Sequence, residues 1–362
     1  MMLQKYAKLL VNYSLYLKKG EHLYISTSII AEPLVKEVYR EAIKVGAHVS
    51  VQFDFEDQQS IFYNEASNEQ LNFIPPFHKM AMEKFDAYLF IRAPYSLTAT
   101  DIDPEKRKIR SEALRPINKV YFDRTATGSM KRSLCQFPTE ANAEVAGMTL
   151  EQYESFVFEA CRLFEDDPQA SWEQVSRDQQ HIVDKLNKVE TIRYKNNKSD
   201  ISFSVKGRTW INSDGKTNMP SGEVFSSPVE DSVNGEIFFD FPSIYMGQAV
   251  EGITLTVKNG EVVKWHANVG QALLDKIMTI DGARYFGEVA IGTNYKIQRA
   301  TKNILFDEKI GGSIHMALGQ SYGQTGGKNQ SSIHWDMICN MKVGGQIFAD
   351  DILIYENGKF II

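Results

Sequence analysis

Cysteine is scarce in this 362-residue chain: Cys135, Cys161 and Cys339 are the whole complement. They are odd in number and free of any CxxC spacing, which argues against a disulfide scaffold and a cysteine-rich zinc module. No apolar run reaches the ~18 residues that a membrane helix needs. Lys5, Lys8, Lys18 and Lys19 interrupt the apolar positions of the first twenty residues, so no signal-peptide core forms there. A cytoplasmic protein with no membrane partner is expected. Positive charge is not in excess either. Forty Lys+Arg stand against 46 Asp+Glu, and the net charge of -6 disfavours nucleic acid as a partner. Neither the GxGxxG of dinucleotide sites nor the HExxH of single-zinc helix sites is present.

What is there reads as a folded globular chain, with 43% hydrophobic and 24% charged residues. At roughly 150 residues per domain, the length suggests two domains. In the first half, Leu3, Ala7, Leu10, Val11, Ser14 and Leu17 recur at helical spacing, and Leu23-Tyr24-Ile25 reads as a buried strand. Pro33 suits the first turn of a helix carrying Leu34, Val38, Ala42 and Val45, with Gly46 as its stop. Val49–Phe53 and Ala87–Ile91 are further strands. This alternation predicts an α/β domain over residues 1–189, a doubly wound parallel sheet with helices on both faces. Thr149-Leu150-Glu151-Gln152 matches a capping box, and the helical pattern then continues to about Val189. Beyond it the pattern changes to hairpins, with Asn259-Gly260 and Asn357-Gly358 each set between strand-like runs. Residues 190–362 are therefore expected to form an α+β domain rich in antiparallel strands.

Five of the seven histidines, His22, His48, His78, His181 and His266, have no cluster of ligand-type residues nearby in sequence. His334-Trp335-Asp336 differs. On a strand, residues i and i+2 share a face, so His334 and Asp336 can converge while Trp335 packs behind them. An imidazole beside a carboxylate suits a borderline divalent ion such as zinc, cobalt or manganese, although a surface strand can read His-x-Asp by chance. Upstream, Asp307, Glu308 and His315 lie around a Gly-Gly turn, which alone could be a solvated loop. Glu223 and Glu288 each follow a glycine and enter an apolar run; such carboxylates can hold a fixed direction, or merely end a strand.

Two patterns point elsewhere and fail on context. Gly319-Gln320-Ser321-Tyr322-Gly323 fits the GxSxG of serine hydrolases, but loop-forming residues follow where the elbow needs a helix. Gly326-Gly327-Lys328-Asn329 lacks the first glycine and the hydroxyl residue of a phosphate loop. Cys339, among apolar neighbours, reads as a buried inert thiol.

Taken together, several ordered segments resemble the thermophilic-type metalloaminopeptidases, the aminopeptidase T / aminopeptidase S group of peptidase family M29. They are Asn218–Pro228, Gly287-Glu288 with Gly292-Thr293-Asn294, Asp307–Tyr322, and Ser332–Asp336. The resemblance implies that Glu223, Glu288, Glu308, His315, His334 and Asp336 fall on metal-ligand positions. It places Tyr322, seven residues after His315, on an active-site tyrosine. It also implies a homodimer acting on peptides with a free N-terminus. The segment between Glu308 and His315 is longer, and that between Tyr322 and His334 shorter, than in better-known members. Six oxygen and nitrogen ligands exceed what one tetrahedral catalytic zinc takes, and suffice for two divalent ions when a carboxylate bridges them. The competing chemistry is a two-metal phosphoesterase or other binuclear hydrolase, for which these segments offer mainly Lys309 and Lys328 as phosphate partners.

Overall fold

The computed structural model describes residues 1–97 and 102–362. The chain divides into two compact units, one of residues 1–169 with 215–219, the other of residues 170–214 with 220–362. The division falls at 169/170 rather than at the expected 189/190. The reason is the helix Pro168–Leu186, whose Val183 and Leu186 are buried in the core of the second unit.

The first unit is built on a five-stranded, all-parallel sheet in the order His48–Asp54, His22–Ser28, Ala87–Arg92, Lys131–Gln136, Asn218–Met219. Strands are added on both sides of His22–Ser28, the arrangement of a doubly wound sheet. Leu23, Ile25, Leu89 and Ile91 are fully buried on one face. On the other, Tyr24 stacks on Tyr88 and packs with Met82, Phe85 and Ile117, which come from the helices Pro76–Lys84 and Pro104–Ala126 and the turn after the first of them. Local signals act where they stand. Pro33 lies in the first turn of Glu32–Val45, and Gly46 ends that helix in the left-handed conformation. Thr149 and Gln152 make both bonds of the capping box. No helix among the described residues is long and apolar enough to cross a membrane.

The second unit holds two antiparallel sheets. The larger has nine strands and contains both expected hairpins. Gln248–Lys258 turns into Glu261–Val269 at Asn259-Gly260, and Ile352–Glu356 into Lys359–Phe360 at Asn357-Gly358. Both central residues of each turn have positive φ, the type I′ geometry that matches strand twist.

The smaller sheet has five strands in the order His334–Asn340, Ser313–Gly319, Phe286–Gly292, Glu223–Ser226, Ile211–Ser213. Its two faces are chemically opposite, as period-2 alternation requires. Val224, Val289, Ile291, Ile314, Met316, Leu318, Trp335 and Met337 join one large apolar core with residues of the nine-stranded sheet, among them Tyr194, Phe203 and Leu255. The alternate positions carry Glu223, Glu288, His315, His334 and Asp336.

Candidate metal centre

Register brings these five side chains together. Ala290 pairs with His315 on one side and with Phe225 on the other, while Ala317 pairs with both Glu288 and Asp336. Small residues, Ala290 and Ala317, thus occupy the middle of the polar face and leave room between longer side chains from four strands. Two glycines aim the glutamates. Gly287 sits at a bulge between Phe286 and Glu288, so that Phe286 enters the core while Glu288 turns to the polar face. A Cβ at Gly287 would collide with the carbonyl oxygens of Gly319 and Gln320. Gly222, at φ +117°, lies against Asn294; a Cβ there would come within 2.7 Å of the Asn294 Cβ. Gly222→Ala is therefore expected to destabilise the protein by at least ~1 kcal/mol, seen as a lower Tm, and to reduce metal uptake by displacing Glu223.

Two donor groups result. Glu223, Glu288 and His315 each offer a ligand-type atom within 4.8 Å of the others, and so do Glu288, His334 and Asp336. Glu288 belongs to both. Its Oε1 lies 3.5 Å from His315 Nε2, and its Oε2 lies 3.1 Å from His334 Nε2. His315 Nε2 is also 3.5 Å from Glu223 Oε2, and His334 Nε2 is 3.3 Å from Asp336 Oδ1. His334 Nδ1 is 2.8 Å from the Gln320 carbonyl, to which it donates when Nε2 is left free to face the carboxylates. Trp335 packs behind, buried and stacked on Tyr245.

Glu308 is placed differently from the other five. It enters neither donor group and pairs with the ammonium of Lys309, a fully buried residue whose Nζ also lies 3.7 Å from Glu223 Oε1. Tyr322 lies beside the cluster with its ring 5.1 Å from that of His334 and 5.6 Å from that of Phe225, and keeps 41% of its surface exposed. Ser321 is buried, and its hydroxyl has no hydrogen-bond partner among the described residues. Only the short 3₁₀ turn Gly323–Thr325 follows it, so the nucleophile elbow lacks its helix.

Electrostatics show what this face demands. Burial by itself lowers an imidazole, yet the surrounding carboxylates push His315 up to about 9 and His334 up to about 12. Burial raises Asp336, but His334 brings it down to about 2. Glu288 is likewise held below its ordinary value against burial by its two histidines. Burial lifts Glu308 to about 8, with Lys309 opposing the shift and Glu223 adding to it. Packing around the Tyr322 phenol and the charges of Glu288 and Asp336 push its hydroxyl well above the usual range. Three carboxylates on one buried face, with Glu308 beside them, attract positive charge, and burying them uncompensated costs several kcal/mol each. Two of their oxygens, Glu223 Oε2 and Asp336 Oδ1, are buried and accept no well-formed hydrogen bond among the described residues, facing the histidine nitrogens at 3.5 and 3.3 Å. Carboxylate and imidazole donors of this kind, with orphaned oxygens turned inward, fit borderline divalent cations.

Two supporting residues gave no local signal in the sequence. Gln179, on the helix Pro168–Leu186, donates to the Glu223 carbonyl at 3.1 Å and accepts from Thr293 Oγ1 at 2.9 Å. In sequence that helix shows only as a helical pattern continuing to about Val189. Lys309 carries no signal either, because nothing in Asp-Glu-Lys announces burial.

The fold and this face define a two-unit α/β protein with a candidate divalent-metal centre of carboxylates and imidazoles. Comparison with known proteins places it further. The sequence profile of the thermophilic metalloproteases (M29) matches residues 1–360, and the chain belongs to that family, a family of hydrolases. It is 29% identical to Aminopeptidase 2 of Geobacillus stearothermophilus, over 97% of this chain and 91% of that protein. To Aminopeptidase T of Thermus aquaticus it is 24% identical, over 99% of this chain and 98% of that one. The solved structure of wild-type AmpT from Thermus thermophilus has the same fold, with a TM-score of 0.86, 23% identity, and coverage of 100% of this chain and 99% of that one.

Proposed function

We propose that the protein is a two-metal aminopeptidase that removes N-terminal residues from peptides, and that Glu223, Glu288, His315, His334 and Asp336 hold the ions. One observation carries the reading: Glu288 lies in both donor groups, each of its oxygens facing a different histidine. A carboxylate so placed is the bridge that five protein ligands need to serve two ions. Charge supports cation binding there: Glu223, Glu288 and Asp336 bring three carboxylates to the two donor groups, against the single ammonium of Lys309.

Bound there, two divalent ions of zinc, cobalt or manganese would supply a water acidified toward a pKa of about 7 and a polarised scissile carbonyl. The chain supplies the rest. Glu308, the carboxylate outside both donor groups, takes the proton of the attacking water and passes it to the leaving amine. Tyr322 donates its hydroxyl to the developing oxyanion. A free, neutral α-amine would bind at an open position on one of the ions, which would restrict cleavage to the first residue. Assembly as a homodimer in the cytoplasm belongs to the same reading, supported by the family resemblance and, for the compartment, by three buried cysteines outside any disulfide.

Chelation is expected to abolish hydrolysis of Leu-p-nitroanilide, and added cobalt, zinc or manganese to restore it. Full activity in a verified metal-free preparation contradicts the proposal. N-acetyl-Leu-p-nitroanilide is expected to resist cleavage because it lacks the amine. Equal rates on both compounds would make the enzyme an amidase or endopeptidase. Turnover of p-nitrophenyl phosphate in place of the anilide would favour the phosphoesterase; against it, Lys309 is already surrounded by Glu223 and Glu308 and is poorly placed to clamp a phosphate.

A further inference from the structure

The two donor groups share Glu288 but are supported unequally. His334 has its far ring nitrogen 2.8 Å from the Gln320 carbonyl, whereas the buried Nδ1 of His315 has no hydrogen-bond partner among the described residues. An acceptor on the distal nitrogen fixes the ring and raises its basicity, and removing such support typically weakens metal binding by about 10–100-fold. The second asymmetry is Lys309. Its ammonium is fully buried 3.7 Å from Glu223 Oε1; Asp336 also feels that charge, less than it feels His334 and His315, and makes no ion pair with Lys309 among the described residues. Only Glu223 Oε2 then faces His315. A dication held by Glu223 and His315 has a fixed positive charge behind its carboxylate, in a medium that screens poorly.

We infer, on the two-metal reading above, that the two positions differ in affinity and that Lys309 sets much of the difference. The position at Glu288, His334 and Asp336 fills first and retains its ion. The position at Glu223, Glu288 and His315 is the exchangeable one, so activity follows the free divalent-ion concentration through the second ion alone. The arrangement gives Lys309 a positioning role. It holds Glu308 outside the ligand set and keeps one ion loosely bound.

Equilibrium dialysis of the metal-free full-length protein against cobalt or zinc tests this. The wild type is expected to take two ions with affinities at least ~10-fold apart. In Lys309→Met, of similar length and uncharged, the weaker ion should tighten by at least ~10-fold while the tighter one moves by less than about threefold. Lys309→Arg, which keeps the charge, should keep the gap. Should Lys309→Met not fold, the wild type alone decides. Crystals given one equivalent of cobalt should show anomalous density at Glu288, His334 and Asp336. Density first at Glu223 and His315, or a gap unchanged in a folded Lys309→Met protein that still binds two ions, overturns the inference and leaves the two-metal reading standing. A single ion at saturation overturns both.

Discussion

Glu288→Ala is expected to bind neither ion tightly and to lose at least ~10³-fold in turnover. The argument starts from the bulge at Gly287, which turns Glu288 from the core to the polar face. From there its two oxygens face His315 and His334 separately, so its removal strips a ligand from both groups at once. Ion-dependent stabilisation of the transition state amounts to several kcal/mol, and each 1.36 kcal/mol is a factor of ten. Truncating Glu223 touches one donor group only and leaves Glu288, His334 and Asp336 intact. A Glu288→Ala protein should therefore retain less metal than Glu223→Ala when both are measured by elemental analysis after dialysis. Equal retention of one ion by the two variants would mean that Glu288 does not bridge.

Tyr322→Phe is expected to behave in the opposite way, retaining both ions while kcat falls by roughly 10²–10³-fold, the usual cost of losing one oxyanion donor. The ring keeps its packing against His334 and Phe225 in the variant, since only the hydroxyl is removed. A phenol, with an ordinary pKa of about 10, is protonated near neutral pH, as a donor must be. Ser321→Ala is the control within the same turn and should retain substantial activity. Its hydroxyl has no hydrogen-bond partner among the described residues, and a short 3₁₀ turn follows where a nucleophile elbow needs a helix. An inactive Ser321→Ala protein with its full metal content would revive the serine mechanism, and an unimpaired Tyr322→Phe would remove the tyrosine from it.

How legible all this was in the sequence depended on whether the signal was local. Asn259-Gly260 and Asn357-Gly358 specify their turns by backbone preference alone, and both hairpins form there. His334 and Asp336 share a face because strands alternate, and the structure puts them 3.3 Å apart. The strands at Leu23, Val49 and Ala87 announced themselves as apolar runs. Lys131–Gln136 did not, because a strand beginning Lys-Arg-Ser carries no such run, although it lies between two others in the sheet. Nor can local pattern show that Asn218–Met219 pairs with Leu134 and Cys135 in the first unit, since that pairing joins segments more than eighty residues apart.

Convergence of Glu223, Glu288 and His315 is non-local in the same sense. Three strands bring them together by register, and only the ordered resemblance to a family suggested it beforehand. Lys309 was hidden for a different reason. Burial of an ammonium is set by the carboxylates that meet it, and those come from elsewhere in the chain.

Anomalous scattering at the zinc edge, from a crystal saturated with zinc, tests the central claim most directly. Two peaks are expected, one among Glu223, Glu288 and His315 and the other among Glu288, His334 and Asp336, with Glu288 contacting both. A single peak at saturation, or two that do not share Glu288, would contradict the two-metal account.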